Sequence, residues 1–117
     1  LEFRRVLFRS HSIVTVGAAA IEGINNIHAD LFFMGVTGVH PEAGLTTGDY
    51  EEACIKRAFS GRAAETVVLA SPEKINTASA FVIGDLSLVN TLVVENTTDE
   101  RWVSAMKEKG VTVIASQ

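Results

Sequence analysis

From Ser12 onward, apolar positions recur with two different periods in turn, and that alternation predicts strands and helices in succession. Ser12–Val16 is a short β-rich run. Ala18–Ile27 places Ala20, Ile21, Ile24 and Ile27 at helical spacing. Leu31–Val36 is a continuous apolar run, the pattern of a strand buried on both faces. Asp49–Phe59 reads as a helix that opens on a good N-cap and sets Tyr50, Cys54, Ala58 and Phe59 along one stripe. Glu65–Ala70 reads as a second buried strand, and Ser71–Lys74 as a turn or short helix start. A short strand at Phe81–Ile83 and a helical turn at Leu86–Val89 come next, then a strand at Thr91–Glu95 and a helix at Asp99–Lys109. Gly110 stands where an αL cap belongs, and Val111–Ala115 closes as a strand. Strands alternating with helices predict an α/β domain: a three-layer, Rossmann-like, doubly wound and mostly parallel sheet.

The connection between the strand at Leu31–Val36 and the helix at Asp49–Phe59 holds four glycines (Gly35, Gly38, Gly44, Gly48) and three threonines (Thr37, Thr46, Thr47). In an open α/β sheet, loops beyond the carboxyl ends of strands form the ligand crevice. A helix N-terminus offers unpaired N–H groups to a phosphate or carboxylate, and glycine lets backbone approach a ligand closely. The same string also fits a long, glycine-punctuated surface loop.

Composition narrows the picture. At 117 residues the chain fits one domain able to bury a core. An apolar content of 47% with 21% charged residues suits a soluble globular protein, and there is no apolar run long enough for a transmembrane helix. The net charge of −4, without a basic patch, argues against these residues gripping nucleic acid by themselves. One cysteine permits no internal disulfide, so a cytoplasmic setting is expected. Leu1–Ser10 stands apart, with three arginines and no clean period. Arg5–Ser10 can be encoded by the end of a common sequencing adapter. Residues 1–10 are therefore expected to be a non-native leader, with the natural segment starting near His11 or Ser12. Without them, 7 basic residues face 13 acidic ones.

Most isolated chemical side chains have plain readings. Cys54 lies on an apolar stripe with no cation beside it, which favours packing over reactivity. His11, His28 and His40 lack metal-ligand spacing, so no metal and no cofactor is expected. Trp102 and Met106 read as core. Glu52 and Lys56 form an i,i+4 pair, either a solvated helix contact or, one turn past the glycine loop, part of a ligand site. Lys56 and Lys74 are the candidate anion contacts, because in a parallel sheet both emerge at the same carboxyl edge. Lys74 also fits an ordinary exposed turn.

The string from Ala29 to Asp49 (ADLFFMGVTGVHPEAGLTTGD), with Glu51-Glu52-Ala53, Lys56-Arg57-Ala58 and Val67–Lys74 (VVLASPEK), resembles the C-terminal sensor domain of DeoR/GlpR-type transcriptional regulators. The resemblance runs from Ser12 to Ser116. It implies a fold like that of ribose-5-phosphate isomerases and CoA-transferases. It also implies a phosphorylated sugar or related metabolite as effector, control of a repressor of sugar catabolism, and a homo-oligomer in the complete protein. Gly35, Gly38, Thr46, Thr47, Gly48, Asp49, Glu52, Lys56 and Lys74 are the effector-site candidates it leaves. Among these, Asp49 and Glu52 are expected to recognise sugar hydroxyls, and Thr46, Thr47 and Gly48 to shape the pocket.

Two elements of the family pattern are not in these residues: the DNA-binding helix-turn-helix, and the opening strand with its aspartate-x-glycine-threonine-threonine loop. Residues 11–117 are thus expected to be a partial sensor domain that reaches operator DNA only through an N-terminal helix-turn-helix. The alternative is a sugar-phosphate isomerase. Against the isomerase pattern, however, the catalytic-type aspartates fall on Met34 and Thr37 and the lysine on Thr47, while Gly35, Pro41, Gly48 and Lys74 keep their places. Proton transfer between sugar carbons needs a carboxylate base within reach. Binding without turnover, and hence no enzyme, is the expectation.

Overall fold

The computed structural model describes residues 13–116, with side-chain surroundings from Ala19 onward. Leu1–Ser10, His11 and Ser12 lie outside the described residues. The elements in chain order are helix α1 (Ile13–Ile24), strands β1 (Ala29–Gly35), β2 (Gly38–His40) and β3 (Gly44–Thr47), helix α2 (Tyr50–Arg62), strands β4 (Ala63–Leu69), β5 (Phe81–Gly84) and β6 (Thr91–Glu95), helix α3 (Glu100–Glu108) and strand β7 (Thr112–Ser116). Short 3-10 turns cover Pro72–Lys74 and Leu86–Leu88.

Two sheets result. One is parallel throughout, in the order β1-β4-β6-β7; the other is antiparallel, in the order β2-β3-β5. Phe32, Met34, Val68, Leu92 and Val94 turn one face of the parallel sheet into the main core, where Ala53 of α2 and Met106 of α3 join them. Leu45 and Ile83 carry that core into the small sheet. Helix α1 packs on α2 through Ile24 and Ile55. Asp49 and Asp99 accept hydrogen bonds from the backbone N–H groups of Glu52 and Arg101 and so cap α2 and α3. Gly110, at φ +90, ends the α3 segment as the sequence predicts.

Several expectations are corrected. The β-branched run through Val16 is helical: Ile13–Val16 begins α1, since β propensity is weak without a neighbouring strand to pair with. The connection from Gly35 to Asp49 is not one loop; it folds into the β2–β3 hairpin. His40 Nδ1 holds that turn by accepting from the N–H groups of Glu42 and Ala43, each at 3.1 Å. Strand β5 pairs antiparallel with β3 and does not join the parallel sheet. β1 and β4 are buried on one face only, because the helices α2 and α3 both pack against the same side. On α2, Tyr50 is exposed and Cys54 half-buried, while Ala53, Ile55 and Lys56 are buried. The helix meets the sheet on one flank and α1 on another, so its buried surface is wider than the Tyr50–Cys54–Ala58 stripe. Among the described residues, no helix is long and apolar enough to cross a membrane.

Candidate functional site

Parallel pairing in register, with Gly35 opposite Leu69, brings the carboxyl ends of β1 and β4 side by side. The segments leaving both strand ends meet at this edge. α2 runs back over the sheet, so its second turn lies above the end of β1. Lys56 Nζ donates to the Gly35 carbonyl oxygen at 2.8 Å, although the residue is only 7% exposed. Glu52, one turn earlier, accepts from the Thr47 hydroxyl at 3.2 Å. Asp49 Oδ2 accepts from the Glu52 backbone N–H at 3.1 Å. Gly35, Thr47, Asp49, Glu52 and Lys56 therefore form one local assembly.

Lys74 reaches the same edge from the turn after β4. Burial pushes the Lys56 ammonium below the ordinary lysine value; the Lys74 charge pushes it further, while Glu52 and Asp49 pull it back. Next to this pair, Leu69, Ala70, Ser71, Lys74, Val93, Val94, Glu95 and Ser116 line a cleft of about 320 Å³ at the carboxyl ends of β4, β6 and β7. Lys74 thus belongs both to the cleft wall and to the electrostatic surroundings of Lys56. This is where open α/β sheets hold ligands. A buried ammonium beside a second cation suits an anion, and the carboxylates and hydroxyl beside them suit hydroxyl groups.

The remaining candidates divide. Gly48 is exposed, with open space where a side chain would project. Gly38 and Thr46 are buried in the hairpin, where Thr46 Oγ1 donates to the Gly38 carbonyl (3.4 Å) and accepts from the Ser79 N–H (2.8 Å). Their roles in the hairpin are structural.

The segment from Ser71 to Ala80 carries contacts that sequence reasoning missed. Thr37 and Ser79 share a hydroxyl hydrogen bond of 2.6 Å, and the Asn76 N–H donates to the Val39 carbonyl at 2.7 Å. Ser71 donates to Glu73 Oε1 at 2.6 Å, and that bond is the main reason the Glu73 carboxyl titrates below its usual range. In the sequence Ser71–Lys74 reads as a turn, and the residues after it show no apolar period, so only the scattered hydroxyls Ser71, Thr77 and Ser79 signal these contacts.

For isomerase chemistry the aligned positions are unsuitable. Met34 is buried in the core, and the Thr37 hydroxyl is held by the Thr46 carbonyl and Ser79. Among the described residues, no group of three or more His, Cys, Asp or Glu side chains is placed to hold a metal ion.

A parallel α/β sheet with a crevice at its carboxyl edge, lined by Ser71, Lys74 and Glu95, defines a domain of the Rossmann-like class. The chain belongs to the DeoR family of regulators: residues 7–96 match the family described as the DeoR C terminal sensor domain. It is 38% identical over 87 residues to an uncharacterized HTH-type transcriptional regulator FruR of Bacillus subtilis, covering 72% of this chain and 35% of that one. It is 27% identical over 106 residues to the HTH-type transcriptional regulator GlpR of Haloferax volcanii, covering 91% of this chain and 42% of that one. With the HTH-type transcriptional regulator GolR of Listeria innocua the identity is 30% over 107 residues, covering 86% and 42%. The chain therefore spans well under half the length of these relatives, each named as an HTH-type transcriptional regulator.

Proposed function

We propose that this domain senses the effector of a DeoR-type repressor of sugar catabolism, and that the effector is a phosphorylated sugar or a closely related metabolite. The observation that carries this reading is the meeting of Lys56 and Lys74 at one sheet edge, close enough for the second charge to depress the first. A bound phosphate relieves that repulsion, and lysine serves phosphate as a mobile point charge. Glu52 lies one helical turn before Lys56 and, with the Thr47 hydroxyl that bonds to it, supplies hydroxyl recognition, with Asp49 beside them and Gly48 leaving room. The Escherichia coli O157:H7 relative, 26% identical over 98 residues, is named a putative aga operon transcriptional repressor.

In this reading operator DNA is bound by a helix-turn-helix elsewhere in the polypeptide, the complete regulator is a cytoplasmic homo-oligomer, and residues 11–117 form part of its sensor. Calorimetry of the complete regulator with sugar phosphates and their unphosphorylated parents tests the effector class. Phosphorylated sugars are expected to bind at least tenfold more tightly, and equal affinity for both sets would overturn the reading.

A further inference from the structure

The segment Ser71–Ala80 connects the end of β4 with the start of β5, and none of its residues is fully buried. Ile75 packs against the core; the other attachments to the β2–β3 hairpin are polar. The Asn76 N–H donates to the Val39 carbonyl at 2.7 Å, the Ser79 N–H donates to Thr46 Oγ1 at 2.8 Å, and the Ser79 and Thr37 hydroxyls share a bond of 2.6 Å. At Asn76 the segment turns with φ +60, a left-handed conformation that asparagine tolerates. A segment with so little buried apolar surface opens at a lower free energy than the core does. Lys74 sits on it, two residues before the Asn76 fastening. The two lysines at the sheet edge are therefore held unequally. Lys56 is 7% exposed and tied by its ammonium to the Gly35 carbonyl, whereas Lys74 rides on the segment that can give way. Repulsion between the two charges acts on that segment.

We propose that Ser71–Ala80 is a strap whose closure the effector controls: an anion held between Lys56 and Lys74 replaces their repulsion by two attractions and favours the position in which Asn76 and Ser79 are fastened to the hairpin. The anion binds the fastened strap better than the loosened one, and that difference in affinity is what shifts the population. Closure is passed on beyond the strap. Phe81 follows it directly and begins β5, and its ring meets that of Tyr50 edge-on with centroids 5.9 Å apart. Arg57 of α2 donates to the Val82 carbonyl at 2.8 Å and to the Ile83 carbonyl at 2.7 Å. Strap, β5 and α2 are thus joined in series, from the two lysines to the exposed side chains of Tyr50, Phe81 and Val82. The inference rests on the anion reading of Lys56 and Lys74 and adds to it the part of the fold that responds.

Amide hydrogen exchange of the complete regulator tests it, because the Asn76 and Ser79 N–H groups are themselves the fastenings. The probe is inorganic phosphate against sodium chloride of equal ionic strength, with calorimetry on the same preparation. Peptides spanning residues 75–80 are expected to exchange at least fivefold more slowly with phosphate, while β6 is unchanged. If phosphate binds, and Lys56→Met abolishes that binding, yet the strap is not slowed, the strap proposal is overturned and the anion reading stands. Equal slowing of strap and β6 is overall stabilisation and overturns the proposal in the same way. No phosphate binding, or equal binding by Lys56→Met, overturns both. Lys74→Met supplies a second arm. With the repulsion gone, its strap is expected to exchange at least twofold more slowly than that of the phosphate-free wild type, and phosphate no longer changes the rate. Exchange as fast as in the wild type, or slowed by phosphate to the same degree, overturns the proposal.

Discussion

Lys56 Nζ donates across 2.8 Å to the carbonyl oxygen of Gly35, tying the second turn of α2 to the last residue of β1. That bond holds an ammonium group, largely withdrawn from solvent, at the edge where the sheet presents its crevice. Lys56→Met keeps the apolar stem and removes the charge. The lost hydrogen bond, from a charged donor, costs about 1.5–3 kcal/mol. Relief from burying a cation offsets much of it, so stability is expected to change by less than about 1 kcal/mol. Anion binding is expected to fall at least tenfold. Thermal melts and calorimetry on the same preparation separate the two effects, and a large loss of stability with intact binding would make Lys56 purely structural.

The same lysine gives a pH signature. Burial, then the Lys74 charge, holds Lys56 below its usual value, so the folded chain releases this proton at lower pH than the unfolded chain does. Between the two values the unfolded chain binds more protons, and stability rises with pH. The stability of the wild type relative to Lys56→Met is therefore expected to increase as pH rises toward about 10.4, the ordinary lysine value. Urea midpoints measured from pH 7 to pH 10 check this. A flat difference would mean that Lys56 titrates as an exposed lysine.

Lys74 is half-buried and shares the crevice wall with Ser71 and Glu95. If it contacts the effector anion, Lys74→Ala weakens binding at least tenfold, about 1.4 kcal/mol. Its effect on the melting temperature is expected to be small, because no core packing depends on the side chain. Unchanged affinity by calorimetry would remove Lys74 from the site.

The elements and their order were legible from periodicity wherever a segment had one partner surface. Thr91–Glu95 matches β6, and Asp99 and Gly110 bound α3 as expected. The sequence was mute where two surfaces compete for one segment. Ile13–Val16 carries strand-forming side chains but lies in a helix, and α2 buries Lys56 while leaving Tyr50 exposed. The hairpin was hidden because Gly38–His40 and Gly44–Thr47 are too short to show a period of two, and their glycines and threonines resemble a loop. Of the site, Lys56, Lys74 and Glu52 could be read from helix spacing and parallel topology. The Thr37–Ser79 contact could not, since it joins residues 42 positions apart.

Asp49 is the N-cap of α2, with its carboxylate on the Glu52 N–H. Asp49→Ala is expected to cost about 1 kcal/mol, the usual loss for an N-cap. Asp49→Asn keeps an acceptor and is expected to leave stability nearly intact. If the charge also recognises sugar hydroxyls, the asparagine variant changes preference among sugars while melting like the wild type. An unchanged preference, alongside the loss in Asp49→Ala, would confine Asp49 to capping.

Gly38 and Gly48 flank the hairpin and look alike in the sequence, yet their surroundings make opposite demands. A Cβ on Gly38 would run into the Thr77 carbonyl oxygen and lie 2.7 Å from Thr46 Oγ1, which the Ser79 N–H holds in place as it fastens the Ser71–Ala80 segment to the hairpin. A Cβ on Gly48 meets nothing within 4 Å. Overpacking of a closed site costs about 1–3 kcal/mol, so Gly38→Ala is expected to lose stability in that range and to loosen the segment carrying Lys74. Gly48→Ala is expected to leave the melting temperature within about a degree or two, since surface changes rarely exceed 0.5 kcal/mol. If Gly48 gives room to the effector, its alanine variant instead weakens binding. Melts and titrations of the two variants side by side distinguish a packing glycine from a pocket glycine. Equal stability loss at both positions would contradict this division.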